Sequence, residues 1–320
     1  MIELSILIPV YNAEAFLQET FDSVLVQAVN LDRIEVVVVN DGSTDKSLSV
    51  IRHYESRFPH FKYIVQKNGG VSRARNRGLE LVSGKYVTFL DADDTFREGA
   101  LPQVLETIKK RTSDIFFFDD IYAAELETYE KGEFLSRFFY SVYVWKTCIN
   151  VQFLKEKGLR FSDGYILEDG VFLLESVLRS SEIATRKLCT VFYRENVKSL
   201  TRNYSDKKKN REMVASFVFV INKYRQLMNE AGDELSPQAI HNITERKEGF
   251  IFFLIIRMIR YGYTNKQMEE NLQKVQFDSF RVFPGAHHDK FIYKLLAPAL
   301  TYAPIRKCIN SCYSFFNRKS

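Results

Sequence analysis

Three aspartates follow a hydrophobic segment within four positions of one another. The segment reads "YVTFLDADD" over residues 86–94 and ends in Asp91, Asp93 and Asp94. Carboxylates this close repel one another, and each loses favourable solvation if it is buried. A positive partner is therefore expected beside them in the working protein, either a metal ion, a basic side chain or the amides at the start of a helix.

The spacing of the first two carboxylates suits a divalent cation. Asp91 and Asp93 form a D-x-D pair at the end of a predicted strand, and such a pair can hold the cation through oxygen ligands. The cation would neutralise a diphosphate, which the carboxylates alone would repel. The simpler alternative for this pair is a solvated turn. Asp94 is expected to cap a helix in "TFREGALPQVLETIKK", which begins just after it.

Other polar residues stand at the ends of two earlier apolar segments. Asp41 follows "IEVVVVN", and its carboxylate could accept a hydrogen bond from the N–H of a nucleotide base. The alternative for Asp41 is an Asx-turn in front of Gly42. Pro9, Tyr11 and Asn12 stand at the end of the segment "LSILIPVYN" and could form the walls of a pocket for a base and a ribose.

The first hundred residues, which must position these side chains, alternate strand and helix patterns. Apolar runs in "LSILIPVY", "IEVVVV", "KYIVQ" and "KYVTFL" predict parallel strands that helices cover on both faces. Helical patterns follow Asn12 and "GSTD", with Asn12 and either Ser43 or Thr44 as expected N-caps. A third helix follows "NGGVS" and carries Arg75. These units predict a doubly wound α/β sheet, in which ligands bind beyond the carboxyl ends of the strands.

The rest of the chain changes character near its middle. The segments "SDIFFFDD" and "KLCTVFYRE" predict strands, and "YILEDGVFLLESVLRS" predicts a helix that opens near Glu168 and Asp169. From about Ser205 onward the chain is helical, aromatic and basic, without clear strand patterns. The expected organisation is an α/β domain over residues 1–204, with halves 1–99 and 100–204, and a helical region over residues 205–320.

Composition and missing motifs exclude several classes of protein. A chain of 320 residues with 46% hydrophobic and 27% charged residues is globular, and its net charge of +5 is too small to imply nucleic acid as a partner. Neither GxGxxG after the first strand nor GxxxxGK[ST] is present, which argues against dehydrogenases and nucleotide triphosphatases. The four cysteines form no CxxC pair, and the N-terminal segment lacks the basic region of a signal peptide, so a cytoplasmic location is expected.

Four segments together resemble a known family. "SILIPVYNAEAFLQETFDSVLVQ", "IEVVVVNDGSTDKS", "NGGVSRARNRGL" and "GKYVTFLDADD" are similar to the successive motifs of the family 2 glycosyltransferases, and the similarity continues through "YILEDGVFLLE" and "VFYRENVKSLTR". The resemblance covers about two thirds of the chain in the order of the family. It implies a GT-A fold, a mixed sheet flanked by helices. It also implies a nucleotide-diphosphate-sugar donor and transfer with inversion of the anomeric centre.

The resemblance also implies roles for individual residues. It implies a nucleotide-sugar site lined by Pro9, Tyr11, Asn12, Asp41, Arg75 and Asp91. It implies a Mn²⁺ or Mg²⁺ ion ligated by Asp93, with Asp91 on the ribose or in the shell of the metal. It implies Asp169 as the general base with Glu168 beside it, and Trp145, Arg194 and Ser199 on the acceptor and diphosphate side. One departure is Asn40, where the family often has a second aspartate.

These observations lead to an expected function with two alternatives. The expected function is an inverting glycosyltransferase that moves a sugar from a UDP-sugar to a glycan or lipid-linked acceptor in the synthesis of a cell-surface polysaccharide. One alternative is a degenerate family member that binds nucleotide sugars without transferring them. The other, compatible with the first, is that the C-terminal third is a docking module for a partner enzyme or a membrane.

The C-terminal tail is predicted to contact the inner face of the cell membrane. The segment "KFIYKLLAPALTYAPIRKCINSCYSFFNRKS" mixes aromatic and basic residues, a composition that can lie on an anionic bilayer. Pro298 and Pro304 interrupt it, so it is not expected to span the membrane. Co-sedimentation with anionic vesicles should be weaker for a version that ends near Pro284, and equal binding by the two proteins would reject the contact. The apolar stretch "GFIFFLIIRMI" is instead expected to be a core helix.

Overall fold

Two sets of residues that interleave in the chain form separate units of the fold. The computed structural model describes residues 1–194, 206–280 and 299–317. Unit 1 comprises residues 1–131, 141–164 and 168–197, and unit 2 comprises residues 132–140, 165–167 and 198–320. Unit 1 contains all the strands of the described chain, and the regular elements in the described part of unit 2 are helices.

The strands of unit 1 form one large sheet and one small one. They are β1 (Leu4–Val10), β2 (Ile34–Asn40), β3 (Phe61–Val65), β4 (Tyr86–Phe89), β5 (Thr95–Phe96), β6 (Ile115–Phe118), β7 (Glu127–Tyr129), β8 (Thr147–Asn150), β9 (Ile183–Arg186) and β10 (Val191–Phe192). The large sheet has eight strands in the order β3-β2-β1-β4-β8-β6-β9-β7, and β5 pairs with β10 in the small sheet.

Eleven helices longer than one turn are present in the described residues. They are α1 (Leu17–Leu25), α2 (Ser47–Tyr54), α3 (Val71–Leu81), α4 (Ala100–Lys110), α5 (Lys131–Arg137), α6 (Val151–Glu156), α7 (Glu168–Arg179), α8 (Lys207–Ala231), α9 (Pro237–Arg260), α10 (Asn265–Lys274) and α11 (Ala303–Asn317).

The predicted parallel strands are present in the first half of the sheet. Strand β1 pairs in parallel with β2 and β4, and β2 pairs in parallel with β3. Every residue of β1 and β2 is buried, because helices cover both faces and the two sequences are apolar throughout. Strand β8 joins the other half by pairing antiparallel with both β4 and β6. The sheet is therefore mixed and flanked by helices, as the expected GT-A fold requires.

Three predicted helix starts are wrong, two of them in the loops before α1 and α2. Helix α1 begins at Leu17 with Phe16 as its N-cap residue, so Asn12 does not cap it. Helix α2 begins at Ser47, whose backbone N–H donates to the Asp45 carboxylate, and neither Ser43 nor Thr44 is its cap. In both cases the preceding residues form hydrogen bonds between loops instead of a first helical turn.

The helix expected directly after Asp94 begins later in the chain. Helix α4 starts at Ala100, after Gly99 in the left-handed region with φ 70°, so Asp94 is not its cap. The intervening Thr95–Phe96 form β5, which pairs with β10 near Arg194. Tertiary pairing with a distant segment therefore replaced the local helical pattern that the sequence indicated.

Unit 2 has a hydrophobic core of its own. This core includes Phe217 and Ile221 of α8, Phe252 and Ile255 of α9, and Leu272 of α10. The apolar stretch "GFIFFLIIRMI" belongs to α9 and packs in this core, as predicted. Among the helices in the described part of the chain, none has the length and hydrophobicity to cross a membrane. The predicted membrane contact of the tail stays a prediction, and part of that tail, residues 290–298 and 318–320, is outside the described residues.

Candidate active site

The loops that follow β1, β2, β3 and β4 leave the same edge of the sheet, because these neighbouring strands are parallel. Hydrogen bonds join the first two loops directly. The Asn12 side chain accepts from the Thr44 backbone N–H at 2.8 Å, and the Ala13 N–H donates to Ser47 Oγ at 2.9 Å. Asn12 has φ 50°, a left-handed conformation that asparagine tolerates better than most residues.

Pro9 and Tyr11 lie where β1 separates from β4. The register between β1 and β4 ends at Leu7, two residues before Pro9, while pairing with β2 continues to Val10. Proline has no N–H to donate, so it fits a position where pairing on one side has ended. Pro9 is buried, whereas Tyr11 just beyond the strand is exposed and could contact a ligand.

The buried Asp41 carboxylate binds the start of helix α3. It accepts from the backbone N–H groups of Gly69 and Gly70, with shortest distances of 2.9 and 2.8 Å, and from Gln66 Nε2 at 2.7 Å. A carboxylate is a favourable partner for helix N-terminal amides, and it fixes the third loop against the second. Asn40, rather than Asp41, makes the Asx-type bond of this turn, by accepting from the Ser43 N–H at 2.9 Å. A base N–H at Asp41 would have to share oxygens that already accept these bonds.

Asp94 is a buried acid with one unpaired oxygen. Its Oδ1 accepts from the Arg194 backbone N–H at 2.9 Å, and its Oδ2 is buried with no hydrogen-bond partner among the described residues. Burial raises the pKa of Asp94 to about 7, and the nearby charges of Asp91 and Asp93 add to this shift. An orphaned carboxylate oxygen among three acids indicates a place that favours a cation.

Arg75 is the buried centre of the site. Its side chain is 3% exposed, and it donates from Nη1 to Glu168 and to Asp169, each at 2.6 Å, and from Nη2 to Asp91 at 2.9 Å. Three ionised carboxylates against one guanidinium would leave two negative charges in excess. Burial alone would lower the pKa of Arg75, but the charges of Asp169, Asp91 and Glu168 outweigh burial and raise it. Asp91 at the end of β4 and the two acids of α7 thus meet at one cation.

The two neighbouring acids of α7 differ in their access to solvent. The Asp169 side chain is 21% exposed, whereas that of Glu168 is 7% exposed. Burial raises the pKa of Asp169 well above its ordinary value, and the charges of Glu168 and Asp91 act in the same direction, while Arg75 opposes them. Adjacent side chains on a helix usually point about 100° apart. Both acids, in the first turn of α7, nevertheless accept from the same Arg75 nitrogen.

The residue before α7 has an unusual backbone conformation. Leu167 has φ 76°, which is rare for a residue that is not glycine. Helix α7 begins immediately afterwards at Glu168. Such strained residues cluster at functional sites, where the surrounding structure holds them in place.

The residues predicted on the acceptor side are partly described. Trp145 is half-buried and stacks on the exposed Tyr143, with ring centroids 5.4 Å apart. The guanidinium of Arg194 lies over the ring of Phe16 and pairs with Glu19. Ser199 lies outside the described residues. The roles of these residues stay predictions.

The fit of a divalent metal depends on the aspartates after β4. These offer hard oxygen donors, and Asp91 has a side chain that is 35% exposed, with one oxygen held by Arg75. In residues 1–194, 206–280 and 299–317, no group of three or more His, Cys, Asp or Glu side chains is placed to hold a metal by itself. Mg²⁺ is often bound by one or two carboxylates together with water and substrate phosphates. The residues present therefore fit a metal that a nucleotide diphosphate helps to hold.

Known proteins share this sequence and this fold. The family model described as Glycosyl transferase family 2 matches residues 5–158. Residues 5–158 form a family 2 glycosyl transferase domain. The domain includes the strands from β1 to β8 and the aspartates after β4.

Two bacterial glycosyltransferase-related proteins are among the curated relatives of this chain. The chain is 37% identical over 114 residues to the minor teichoic acid biosynthesis protein GgaB of Bacillus subtilis, and the aligned segment covers 35% of this chain and 13% of that protein. It is 30% identical over 230 residues to the glycosyltransferase GlyA of Streptococcus pneumoniae, and this alignment covers 64% of this chain and 32% of that protein. The chain therefore spans less than two thirds of the length of these relatives.

Solved structures extend the likeness beyond the family 2 domain. TarS of S. aureus in complex with UDP-GlcNAc superimposes with a TM-score of 0.65 over 99% of this chain and 92% of that chain, at 17% identity. The mannosyltransferase PcManGT of Pyrobaculum calidifontis, in complex with GDP-Man and Mn²⁺, gives a TM-score of 0.52 at 13% identity over 98% of this chain and 85% of that chain. At this identity the likeness shows the GT-A fold alone.

Sequence reasoning missed several contacts of the candidate site. It did not predict that Arg75 would bind Asp91, Glu168 and Asp169 together, although it named all four. It assigned no role to Gln66, which binds Asp41, or to Tyr143, which stacks on Trp145. Their only signal was nearness in the chain to residues already singled out, and this does not reveal which side chains meet.

Proposed function

We propose that the protein is an inverting glycosyltransferase. It would move a sugar from a nucleotide-diphosphate sugar, with UDP as the expected nucleotide, to a hydroxyl of a glycan or lipid-linked acceptor in the synthesis of a cell-surface polysaccharide. The observation that carries the proposal is the network in which Arg75 joins Asp91, after β4, to the partly exposed Asp169 of α7. It brings a donor-side acid and a candidate base together within unit 1.

The nucleotide would bind at the loops that end β1, β2 and β4. Pro9, Tyr11 and Asn12 would form the walls around the base and ribose, and the exposed ring of Tyr11 supports that role. Asp41 would contact the base through a shared oxygen, and Asp91 would contact the ribose. The UDP-GlcNAc bound to the similarly folded TarS supports a nucleotide-sugar donor.

On the acceptor side, Asp169 would take the proton of the attacking hydroxyl. A sugar hydroxyl is a weak nucleophile near neutral pH, so a base must remove its proton as the new bond forms. In a single in-line displacement this base must stand opposite the leaving diphosphate. The greater exposure of Asp169 compared with Glu168 favours Asp169 for this task.

Two measurements together test the proposed function. The first is the thermal stabilisation of the protein by UDP-, GDP- and dTDP-sugars, with and without Mn²⁺ or Mg²⁺. The second is release of the nucleotide in the presence of acceptor glycans. A protein that binds the donor tightly but releases no nucleotide with any acceptor would instead be the degenerate binding protein.

We expect Asp93→Ala to lose the tightening of UDP-sugar binding by manganese while the protein stays folded. A divalent cation bound here would supply positive charge to the diphosphate, which the acids after β4 otherwise repel. Isothermal titration of UDP-sugar into each protein, with Mn²⁺ and with chelator, measures this difference.

A matched control for this change is Asp120→Ala. Asp120 is an exposed aspartate that follows strand β6, so its removal changes the net charge equally at the end of another strand. Manganese should tighten donor binding by the control as it does by the unaltered protein. If manganese tightens binding by Asp93→Ala to the same extent, Asp93 is not a ligand.

A further inference from the structure

A groove within unit 2 is lined by none of the residues assigned to the active site above. It has a volume of about 820 Å³ and is lined by residues of α8 and α10, by the turn that joins α9 to α10, and by Tyr165. This volume lies within the range of about 300–1,000 Å³ that is usual for ligand sites. We call it the α8–α10 groove.

The charge of the α8–α10 groove is predominantly positive. Lys207 and Arg211 of α8 and Lys274 of α10 line it, against a single acid, Glu270. None of the three cations forms an ion pair with a residue in the described parts of the chain. Unpaired cations on facing elements of one concave surface attract an anionic ligand, and arginine in particular matches phosphate and carboxylate oxygens.

The remaining lining suits rings and hydroxyl groups. Tyr165 stacks on Phe219, with ring centroids 3.8 Å apart, and Tyr263 lines the groove from the turn. Aromatic rings offer an apolar face with a polar edge, which can pack against the C–H face of a sugar. The amide side chains of Asn222 and Asn271 can both donate to and accept from hydroxyl groups.

Charge and aromatic surface meet at one point of the groove. Arg211 of α8 and Tyr263 of the turn both line the groove. The positive charge of Arg211 opposes the rise in the pKa of the Tyr263 hydroxyl that burial causes. A ligand with an anionic group next to a hydroxylated ring could use both side chains. A purely apolar ligand or a bare inorganic anion could use only one of them.

We propose that the α8–α10 groove binds an anionic saccharide chain, and that this chain is the acceptor or the part of it already built. The role as acceptor rests on the proposed function, whereas the binding itself does not. Tyr165 precedes the candidate base Asp169 by only four residues in the chain, so one short segment serves both the groove and the active site. The recognised chemistry is a sugar or polyol backbone that carries phosphate or carboxylate groups.

The test compares two double variants of equal charge. Arg211→Gln/Lys274→Gln removes one cation of the groove from each of α8 and α10, and Lys209→Gln/Lys266→Gln removes one exposed lysine outside the groove from each of the same helices. The probes are short oligomers of equal length: a polyol phosphate, a polyuronate, a neutral glucan and inorganic polyphosphate. Affinities are measured by isothermal titration with the full chain and without a sugar donor.

The groove variant should bind the polyol phosphate or the polyuronate about tenfold more weakly than the unaltered protein, because charge-assisted hydrogen bonds are lost. The control variant should bind within about twofold of the unaltered protein. The anionic oligomer that binds more tightly identifies the charged group of the ligand. Equal weakening of both variants, tighter binding of polyphosphate than of either anionic saccharide, or no binding of the saccharides at all would overturn the proposal.

Binding and transfer can fail separately. A protein that binds the anionic saccharide through the groove but releases no nucleotide with any donor keeps the groove assignment and contradicts the proposed function. A protein that transfers sugar with unchanged kinetics in the groove variant contradicts the role of the groove in acceptor binding.

Discussion

Replacing Asp169 with asparagine is expected to lower turnover by roughly 10²–10⁴-fold, the usual contribution of a positioned general base. Asparagine has nearly the shape of aspartate, and its Oδ1 can still accept the 2.6 Å hydrogen bond from Arg75. It cannot take a proton from the acceptor hydroxyl. Donor binding should therefore stay close to that of the unaltered protein while the rate of nucleotide release falls, as measured with saturating donor and acceptor.

Glu168→Gln is the matched control for this change. It removes a negative charge from the neighbouring residue, whose oxygen also accepts from Arg75, and it should cost much less turnover. If Asp169→Asn keeps near-normal transfer and Glu168→Gln loses it, the base is Glu168. If neither variant loses transfer, the base is not on α7.

The pH dependence of turnover provides a second measure of the same residue. A base must be ionised, so turnover is lost as the pH falls through its pKa. Burial and the charges of Glu168 and Asp91 raise the pKa of Asp169. An ordinary aspartate titrates near pH 4, so this loss should begin at a pH well above 4. Because Glu168→Gln removes one of these charges, it should move the loss to lower pH.

Replacing Arg75 with methionine is expected to lower the free energy of unfolding by about 3–5 kcal/mol at neutral pH. The guanidinium is the buried partner of Asp91, Glu168 and Asp169, and methionine would leave their charges close together without a cation. Chemical denaturation of the two proteins measures the difference. Arg75→Lys keeps the positive charge but not the planar guanidinium, so its free energy of unfolding should fall by less. It replaces the methionine variant in the measurement if that variant does not fold.

The sign of the pH effect distinguishes this cause from lost packing. Arg75 opposes the rise in the pKa of Asp169, so without Arg75 this pKa in the folded protein would lie further above its unfolded value. Stability would then be lost as the pH rises from the unfolded pKa through this raised value and regained as the pH falls. Arg77→Met, two residues along the same helix, removes an exposed cation paired with Glu80 and should change stability little at any pH. Equal denaturation midpoints for the two variants would contradict the role given to Arg75.

The part of the fold that could be predicted is the part with a local pattern. Strands β1 and β2 are apolar at nearly every position, since both faces of a parallel sheet are covered, and this pattern is visible in the sequence. Strand β9 (Ile183–Arg186) was not predicted, because its short sequence "IATR" has no such pattern and pairing with β6 and β7 makes it a strand. Its neighbours in the sheet are about 70 and 55 residues away in sequence.

The candidate site shows the same division between local and distant information. The acids after β4 and at the start of α7 were visible as motifs, but their joint partner was not. Arg75 and Glu168 are separated by 93 positions in the sequence. No local pattern indicates which of the arginines of α3 is buried. The wrong cap at Asp94 has the same origin, because the pairing of β5 with β10 depends on residues almost a hundred positions later.

The position of β8 in the sheet limits how this chain can be divided. Strand β4 pairs with β1 on one side and with β8 on the other, although β8 (Thr147–Asn150) follows it by about 60 residues. While the chain is being synthesised, Tyr86 and Val87 therefore present an open apolar strand edge until the ribosome has delivered residues 147–150. Open edges of this kind recruit other strands and lead to aggregation. A fragment intended to keep the loops after β1, β2 and β4 must accordingly extend past Asn150, since one that stops near residue 99 would expose that edge permanently.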